Sequence, residues 1–357
     1  MKKDIIKERI DVWQRLKDSK KPVVIYGMGD GAQKIIDVCN GKGIEIKDIF
    51  ASDEYVRGHS FSGYKILKYG EAVKKHGDFI IVLAFAVRTG DMIGRIKALS
   101  QAHELVAPDV PVSGGGLFDM EYARKNLSCM ERAYEALADD LSKKTYGDII
   151  NFKLSGKIEY LFDCTTDKSE ALSGILNLSK HENYLDVGAY DGDTIREFLN
   201  ETGGKYDSIT AVEPDIKNYK KLIKWINQSG YTDITAINKL VWNKQATVGF
   251  NTRAGRNSSV NIKESSDTVC AESIDSIVSG RKISFIKLDV EGSEKMALVG
   301  ATDTIKHQKP KLLVSAYHRN DDLFSLIECI NEIRVDYKFY LRHHSYIPAW
   351  DTNIYAV

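Results

Sequence analysis

Residues 186–194 read DVGAYDGDT, a run in which carboxylates and glycines alternate directly after an apolar stretch. Glycines let a backbone approach a ligand closely, and a helix that begins after such a turn offers free N–H groups. Asp186, Asp191 and Asp193 would repel a pyrophosphate, but they suit the sulfonium and ammonium groups of S-adenosylmethionine (SAM). The alternative is an ordinary strand–turn–helix whose acids are solvated. The charge pattern favours SAM.

A second acid follows at the end of AVEP, where Glu213 lies about 20 residues beyond Gly192, the spacing at which an acid accepts hydrogen bonds from ribose hydroxyls. NAD and SAM both carry those hydroxyls, so Glu213 alone does not choose between them. Together with the acidic loop, Glu213 indicates a SAM site.

Two further strand ends, in FIKLDVEGSEKMAL and KLLVSAYHRNDD, carry groups that could act on a substrate. Asp289 and Glu291 could orient a hydroxyl, lie near the sulfonium, or bind a divalent metal. A histidine near its usual pKa of about 6.5 can accept a proton from a hydroxyl, which makes His318 a candidate base. We predict these three residues to be catalytic and assign no metal. Glu294 is interpreted only as a helix-start acid.

Another glycine-rich turn, VVIYGMGDGAQKII, lies at residues 23–36. Gly27, Gly29 and Gly31 follow a strand and open a helix, and Asp53 ends the next strand, as a dinucleotide fingerprint requires. This turn could bind a nucleotide or nucleotide-sugar, but a structural or assembly role is the favoured interpretation.

The surrounding patterns predict an α/β protein of three parts. Ile6, Ile10, Trp13 and Leu16 recur at helical spacing and predict an opening helix, which a small strand–helix–strand unit follows. Residues 113–116 (SGGG) are interpreted as a flexible link. A helical connector should follow, with an apolar face formed by Leu127, Met130, Ala133, Tyr134, Leu137 and Leu141.

The C-terminal part predicts a mostly parallel sheet from ENYLDVG, SITAVEP, DITAINKLVW, ISFIKLDV and KLLVSAYH. VDYKFYLRHHS and TNIYAV are separated by only YIPAWD, so they should close the sheet as an antiparallel hairpin. This is the architecture of class I methyltransferases.

Composition excludes several classes of protein. Lys+Arg and Asp+Glu each total 50, and this zero balance argues against nucleic acid or an anionic membrane as the main partner. The five cysteines are scattered, so we expect neither disulfides nor a thiolate zinc site. We see no signal peptide and no apolar stretch long enough to span a membrane, and we expect a cytoplasmic protein.

DVGAYDGDT, AVEPD, NSS at 257–259, IKLDVEGSE, the strand-end YH and the closing hairpin together resemble the FkbM family of SAM-dependent methyltransferases. The resemblance covers about 165–357 and implies methyl transfer to a hydroxyl of a sugar, glycan or secondary metabolite. It also implies SAM contacts at Asp186, Gly188, Gly192 and Glu213, to which we add Ala189, Tyr190, Thr194, Asn238 and Asp289. Tyr190 replaces a glycine that is frequent in the broader methyltransferase loop.

The resulting division is a small Rossmann-like domain at 1–117, a connector at 118–164 and a methyltransferase domain at 165–357. The N-terminal part resembles small Rossmann-like modules appended to sugar-modifying enzymes. Two other functions remain open: a dinucleotide-dependent oxidoreductase that uses the first domain, and a non-catalytic scaffold. A homodimer is expected if the first domain or the connector self-associates.

Overall fold

The computed structural model describes residues 5–251, 259–260 and 268–357. Its N-terminal part is a six-stranded sheet in the order β3-β4-β2-β1-β5-β6. The strands are β1 (Val23–Tyr26), β2 (Ile46–Ala51), β3 (Ser60–Phe61), β4 (Tyr64–Lys68), β5 (Ile80–Leu83) and β6 (Glu104–Val106). All pairs except β3–β4 are parallel, which confirms the predicted small α/β unit.

Four helices accompany this sheet: α1 (Val12–Asp18), α2 (Asp30–Lys42), α3 (Tyr69–His76) and α4 (Gly90–Ala102). The opening helix is shorter than predicted. The Asp11 side chain accepts a hydrogen bond from the Gln14 N–H and caps α1, so Ile6 and Ile10 precede the helix and Ile10 is 46% exposed. A short acid at the N-cap defines a helix start more strongly than apolar spacing does.

The connector contains α5 (Met120–Lys125), α6 (Leu127–Ala136), α7 (Asp140–Ser155) and α8 (Glu159–Cys164), and the short α9 (Lys168–Ala171) follows it. The predicted apolar face through Leu141 is wrong in its last part. Asp139 caps a new helix, α7, by accepting from the Ser142 N–H, and Leu141 in that helix is 41% exposed. Helix α7 is buried over most of its length and contacts the strand Phe339–His343 of the second sheet, where the Leu341 N–H donates to the Ser142 hydroxyl.

The C-terminal sheet has the order β16-β17-β15-β14-β7-β8-β9. Its strands are β7 (Asn183–Val187), β8 (Ser208–Val212), β9 (Ile234–Ile237), β14 (Phe285–Leu288), β15 (Lys311–Ser315), β16 (Phe339–His343) and β17 (Thr352–Ala356). Only β17 runs antiparallel to its neighbours β15 and β16. The mostly parallel sheet with an antiparallel C-terminal hairpin is therefore confirmed.

The predicted strand DITAINKLVW is broken. After β9 the chain turns at Asn238, whose side-chain amide donates to the carbonyl oxygens of Glu213 and Pro214. A separate four-stranded sheet, the third of the structure, follows in the order β10-β13-β11-β12, with β10 (Leu240–Val241), β11 (Ala246–Asn251), β12 (Ser259–Val260) and β13 (Thr268–Glu272). The NSS motif lies outside the described residues except for Ser259.

The remaining helices, α10 (Asp193–Thr202), α11 (Ile216–Ser229), α12 (Ile274–Val278), α13 (Glu294–Val299), α14 (Thr302–Gln308) and α15 (Asp322–Ile333), pack around the second sheet. One continuous apolar core joins the two sheets through the connector and includes Tyr26, Leu83, Ile149, Leu185 and Ile286. The five cysteines are free thiols. Within the described residues, no helix is long and apolar enough to cross a membrane.

Candidate active site

The ends of β7, β8, β14 and β15 meet at a cavity of about 320 Å³. Carboxyl ends of parallel strands share one edge of a sheet, which is where ligands bind in open α/β folds. Five of the predicted cofactor contacts line this cavity: Gly188, Tyr190, Thr194, Glu213 and Asp289. The three predicted catalytic residues, Asp289, Glu291 and His318, line it as well.

The other four predicted contacts lie behind the cavity wall and support it. The fully buried Asp186 accepts a hydrogen bond from the Thr194 hydroxyl at 2.6 Å, and its other oxygen lies 3.3 Å from the Lys287 Nζ. Ala189 is buried, and Asn238 tethers the chain after β8. Gly192 has φ +91° and packs against the Trp225 ring.

Lys287 connects the ends of β7 and β14. Its Nζ donates to the Gly188 carbonyl at 2.8 Å and lies 3.9 Å from an Asp289 oxygen. Burial alone would lower the pKa of this lysine, but the charges of Asp186 and Asp289 raise it instead. Burial raises the pKa of Asp186, which the charge of Lys287 opposes. A buried charge of this kind is tolerated only with its partner in place.

Three residues of the first loop have left-handed backbones: Gly188, Tyr190 and Gly192. Gly188 has φ +83°, and a Cβ there would lie 1.8 Å from the Asp289 carbonyl oxygen, so only glycine lets β7 and β14 approach so closely. Tyr190 has φ +47°. It keeps the conformation that glycine favours in the broader methyltransferase loop, and its N–H donates to Glu213 at 2.8 Å.

Glu213 is buried at the end of β8, where its two oxygens accept from the N–H groups of Tyr190 and Asp215, each at 2.8 Å. Burial raises the pKa of Glu213 to about 7, although both hydrogen bonds favour the carboxylate. A carboxylate that faces a cavity in this way has lone pairs left for ribose hydroxyls.

His318 lies among three carboxylates. Its Nε2 is 3.5 Å from an oxygen of Asp289 and 3.5 Å from one of Glu291, and its Nδ1 is 2.9 Å from Glu294. Burial lowers the pKa of His318, but the charge of Glu294, followed by those of Asp289 and Glu291, raises it to about 10. The surrounding carboxylates therefore favour the imidazolium form, which is a poorer proton acceptor than the histidine of pKa near 6.5 considered in the sequence analysis.

Glu291 has the opposite character. Burial raises its pKa to about 8, although the His318 charge works against that shift. Its φ of +53° is uncommon for a residue other than glycine, and such backbones concentrate at functional sites. Glu291 is thus the carboxyl group of this cluster whose proton affinity lies near neutral pH.

The interpretation of Glu294 as only a helix-start acid is incomplete. Glu294 begins α13, but it is fully buried and also accepts from the Val290 N–H at 2.9 Å. Within the described residues, Asp289, Glu294 and His318 form one group whose ligand atoms lie within 4.8 Å of one another. The protonated imidazole already supplies a positive charge at the centre of this group.

The predicted link at 113–116 packs against this region at its first two residues. The Ser113 N–H donates to the His318 carbonyl at 2.9 Å, and a Cβ on Gly292 would lie 2.5 Å from the Ser113 Cβ. Gly114 lies against Arg319. Ser113 and Gly114 of this predicted link therefore support the loops after β14 and β15.

The glycine-rich turn of the N-terminal domain is explained largely by packing. A Cβ on Gly27 would lie 2.5 Å from the Phe85 ring, and one on Gly31 would lie 2.6 Å from the Ala84 carbonyl oxygen. Gly29 has φ +119° and no such neighbour within 4 Å. A second cavity of about 240 Å³ lies beside this turn and shares Trp350 with the first cavity.

The cavity residues that the sequence analysis did not assign to the site include Arg88, Val112 and Trp350. Arg88 follows β5, Val112 follows β6, and Trp350 lies between β16 and β17. Each is distant in sequence from the SAM motif, so no local spacing could associate it with the site.

Residues 186–347 match the family model of the methyltransferase FkbM domain. By this match, residues 186–347 form an FkbM methyltransferase domain. Membership of a methyltransferase family supports SAM as the cofactor.

The chain is similar over its whole length to the solved structure of a methyltransferase FkbM from Methylobacillus flagellatus KT, with 23% identity, a TM-score of 0.75 and 96% of that chain covered. At this identity the similarity shows a common fold.

Weaker similarities include precorrin-6y C5,15-methyltransferase from Geobacter metallireducens GS-15, with 10% identity, a TM-score of 0.34, and 54% of this chain and 90% of that chain covered. Another is Aeropyrum pernix fibrillarin in complex with SAM, with 12% identity and a TM-score of 0.34. This similarity covers 53% of this chain and 73% of that chain. No curated protein matches the chain significantly.

Proposed function

We propose that the protein is a SAM-dependent O-methyltransferase. The observation that carries this proposal is that a single cavity extends from Gly188 and Glu213 to Glu291 and His318. One end offers glycine backbone and a carboxylate, and the other end offers a carboxyl group with raised pKa. A donor and an acceptor could therefore meet within one site.

At the donor end, Glu213 would accept hydrogen bonds from the ribose hydroxyls, and the backbone of Gly188 and Tyr190 would contact the methionine part. Thr194 and Asp289 complete this part of the wall. The chemistry of these groups fits SAM, because they combine acceptors for hydroxyls with negative charge for a sulfonium. SAM supplies the methyl group when it is bound.

At the acceptor end, Asp289 and Glu291 would hold the acceptor hydroxyl. Glu291 is the proposed base: with a pKa of about 8 its carboxylate can take the hydroxyl proton near neutral pH. His318 would act as a cation that holds both carboxylates by its charge, since its Nε2 lies 3.5 Å from an oxygen of each. Methyl transfer depends on orientation more than on a strong base, so rigid positioning by His318 matters.

The finer predictions remain proposals. The acceptor would be a sugar, glycan or secondary metabolite, as the family resemblance implies. Binding of a nucleotide or nucleotide-sugar at Gly27, Gly29 and Gly31 would use the second cavity, whose wall includes Gly31 and Lys34. The cytoplasmic location, the absence of a nucleic-acid partner and the homodimer stay predictions.

The test is methyl transfer from isotope-labelled SAM to a panel of hydroxylated sugars and glycans, with the methylated atom identified by mass spectrometry and NMR. We expect a methyl ether. Glu291→Gln should lower turnover by about 10²–10⁴-fold with little change in the affinity for SAM. Glu170→Gln removes an exposed carboxylate that does not line the cavity and is the matched control. Methylation at nitrogen or carbon, or full activity of Glu291→Gln, would contradict the proposal.

A further inference from the structure

The N-terminal domain contributes directly to the wall of the methyltransferase cavity. After β5, Val87 forms an antiparallel bridge with Ile347 of the loop between β16 and β17. The two backbone hydrogen bonds of this bridge measure 2.7 and 2.9 Å. The neighbouring residue, Arg88, lines the cavity beside Ser345 and Trp350. A residue of one domain is thereby fixed at the acceptor end of the other.

Arg88 differs from the other cations of this wall. Lys168 is paired with Glu197 at 2.8 Å, Lys287 is buried against Asp186, and Lys239 pairs with Glu272. Arg88 is exposed, and it makes no hydrogen bond or ion pair with any part of the chain that the structure describes. Its guanidinium is therefore available to a ligand.

The rest of the wall restricts where a negative charge could lie. Carboxylates of Asp193, Glu197 and Asp289 line the cavity and would repel an anionic group. At Arg88 such a group would meet a planar fork of donors that matches carboxylate and phosphate oxygens. An anionic acceptor would therefore bind in one orientation, with its charge at Arg88 and its hydroxyl toward Glu291.

The same end of the cavity is lined by aromatic rings. The Tyr346 and Trp350 ring centroids are 5.7 Å apart, and Tyr317 lies 6.5 Å from Trp350 with an angle of 27° between the planes. The C–H face of a sugar ring is apolar and packs on such rings, while its hydroxyls stay free for polar groups.

On the basis of the proposed methyltransferase function, we propose that the acceptor is a sugar bearing a carboxylate or a phosphate, and that Arg88 of the N-terminal domain binds this anionic group. The N-terminal domain then acts in acceptor recognition. This role agrees with the packing of the glycine-rich turn of that domain, where the Phe85 ring lies against Gly27 and leaves no room for a side chain.

The test measures binding of three probes to the full-length protein saturated with S-adenosylhomocysteine: glucuronate, glucose 6-phosphate and glucose. Saturation-transfer NMR titrations should show one anionic probe binding about tenfold more tightly than glucose, the effect of one charge-assisted contact. Arg88→Met should remove that preference, and Arg88→Lys should retain part of it. Preference for glucuronate identifies a carboxylate, and preference for glucose 6-phosphate identifies a phosphate.

Arg57→Met is the matched control, because it removes an exposed arginine of the same domain that does not line the cavity. It should bind all three probes as the wild type does. Equal binding of glucose and both anions, retained preference in Arg88→Met, or no binding of any probe would overturn the inference. The affinity for SAM, measured on the same protein preparations before S-adenosylhomocysteine is added, separates this failure from that of the proposed function. A wild-type protein that does not bind SAM would refute both.

Discussion

The ion pair between Glu294 and His318 allows a quantitative prediction. The two atoms that face each other are 2.9 Å apart in a fully buried setting. At an effective dielectric constant of about 20, two unit charges at that separation attract by roughly 6 kcal/mol, which corresponds to about 4 pKa units. Removing the charge of Glu294 should therefore lower the pKa of His318 from about 10 to about 6.

Glu294→Gln is the appropriate change, because the glutamine oxygen can still accept the hydrogen bond from the Val290 N–H. The assay is a titration of the His318 imidazole nitrogens by ¹⁵N NMR between about pH 5 and 11, with the signal assigned through His318→Gln. Glu332→Gln, an exposed acid on α15, is the control and should leave the titration unchanged. A wild-type His318 that titrates near 6.5, or an equal pKa in both proteins, would refute the reasoning.

The same pair gives a sign for the pH dependence of stability. The folded-state pKa of His318 lies above its usual 6.5, so its stabilising contribution is complete below pH 6.5 and is lost as the pH rises to about 10. The free energy of unfolding should fall over this range more steeply in the wild type than in Glu294→Gln. The same pH dependence of the unfolding free energy in both proteins, measured by urea titration at several pH values, would contradict this prediction.

Three further results are expected. The affinity for SAM should weaken about tenfold per pH unit below 7, because a proton on Glu213 competes with the ribose hydroxyls. Calorimetry on Glu213→Gln should show no such pH dependence. The same pH dependence in both proteins would argue against the ribose contact. Lys287→Met should lower the free energy of unfolding by about 3–5 kcal/mol, since it leaves Asp186 buried without its cation, and a loss below about 1 kcal/mol in urea would show that the pair is not needed. Methyl transfer should persist in excess chelator, because the imidazolium of His318 occupies the centre of the acidic group; loss of activity that Mg²⁺ or Mn²⁺ restores would show a required metal.

The local sequence was sufficient to predict the main sheet of the C-terminal part. The apolar strands ending in Asp186, Glu213 and Asp289 predicted a parallel sheet whose ends converge, and β7, β8 and β14 do meet at the cavity. The short connection YIPAWD excluded a helix and correctly required the antiparallel pair β16–β17. These features depend on spacing within one segment of the chain.

The properties that depend on packing could not be read from spacing. Whether His318 is neutral or charged follows from its burial against Glu294, 24 positions earlier in the chain, and the sequence shows neither the burial nor the contact. Arg88 reaches the cavity only because Val87 pairs with Ile347, far along the chain. The glycines of the first turn matched a nucleotide pattern, yet Gly27 is required by the ring of Phe85.

The central claim is that the acidic loop at 186–194 belongs to a SAM site. The most direct test is calorimetric titration of the purified protein with SAM, S-adenosylhomocysteine and NADH in parallel, repeated on Glu213→Ala. We predict saturable binding of SAM and of S-adenosylhomocysteine, weakened in Glu213→Ala, and no binding of NADH. Tight binding of NADH without SAM, or SAM affinity unchanged in Glu213→Ala, would contradict the assignment of this loop and of Glu213.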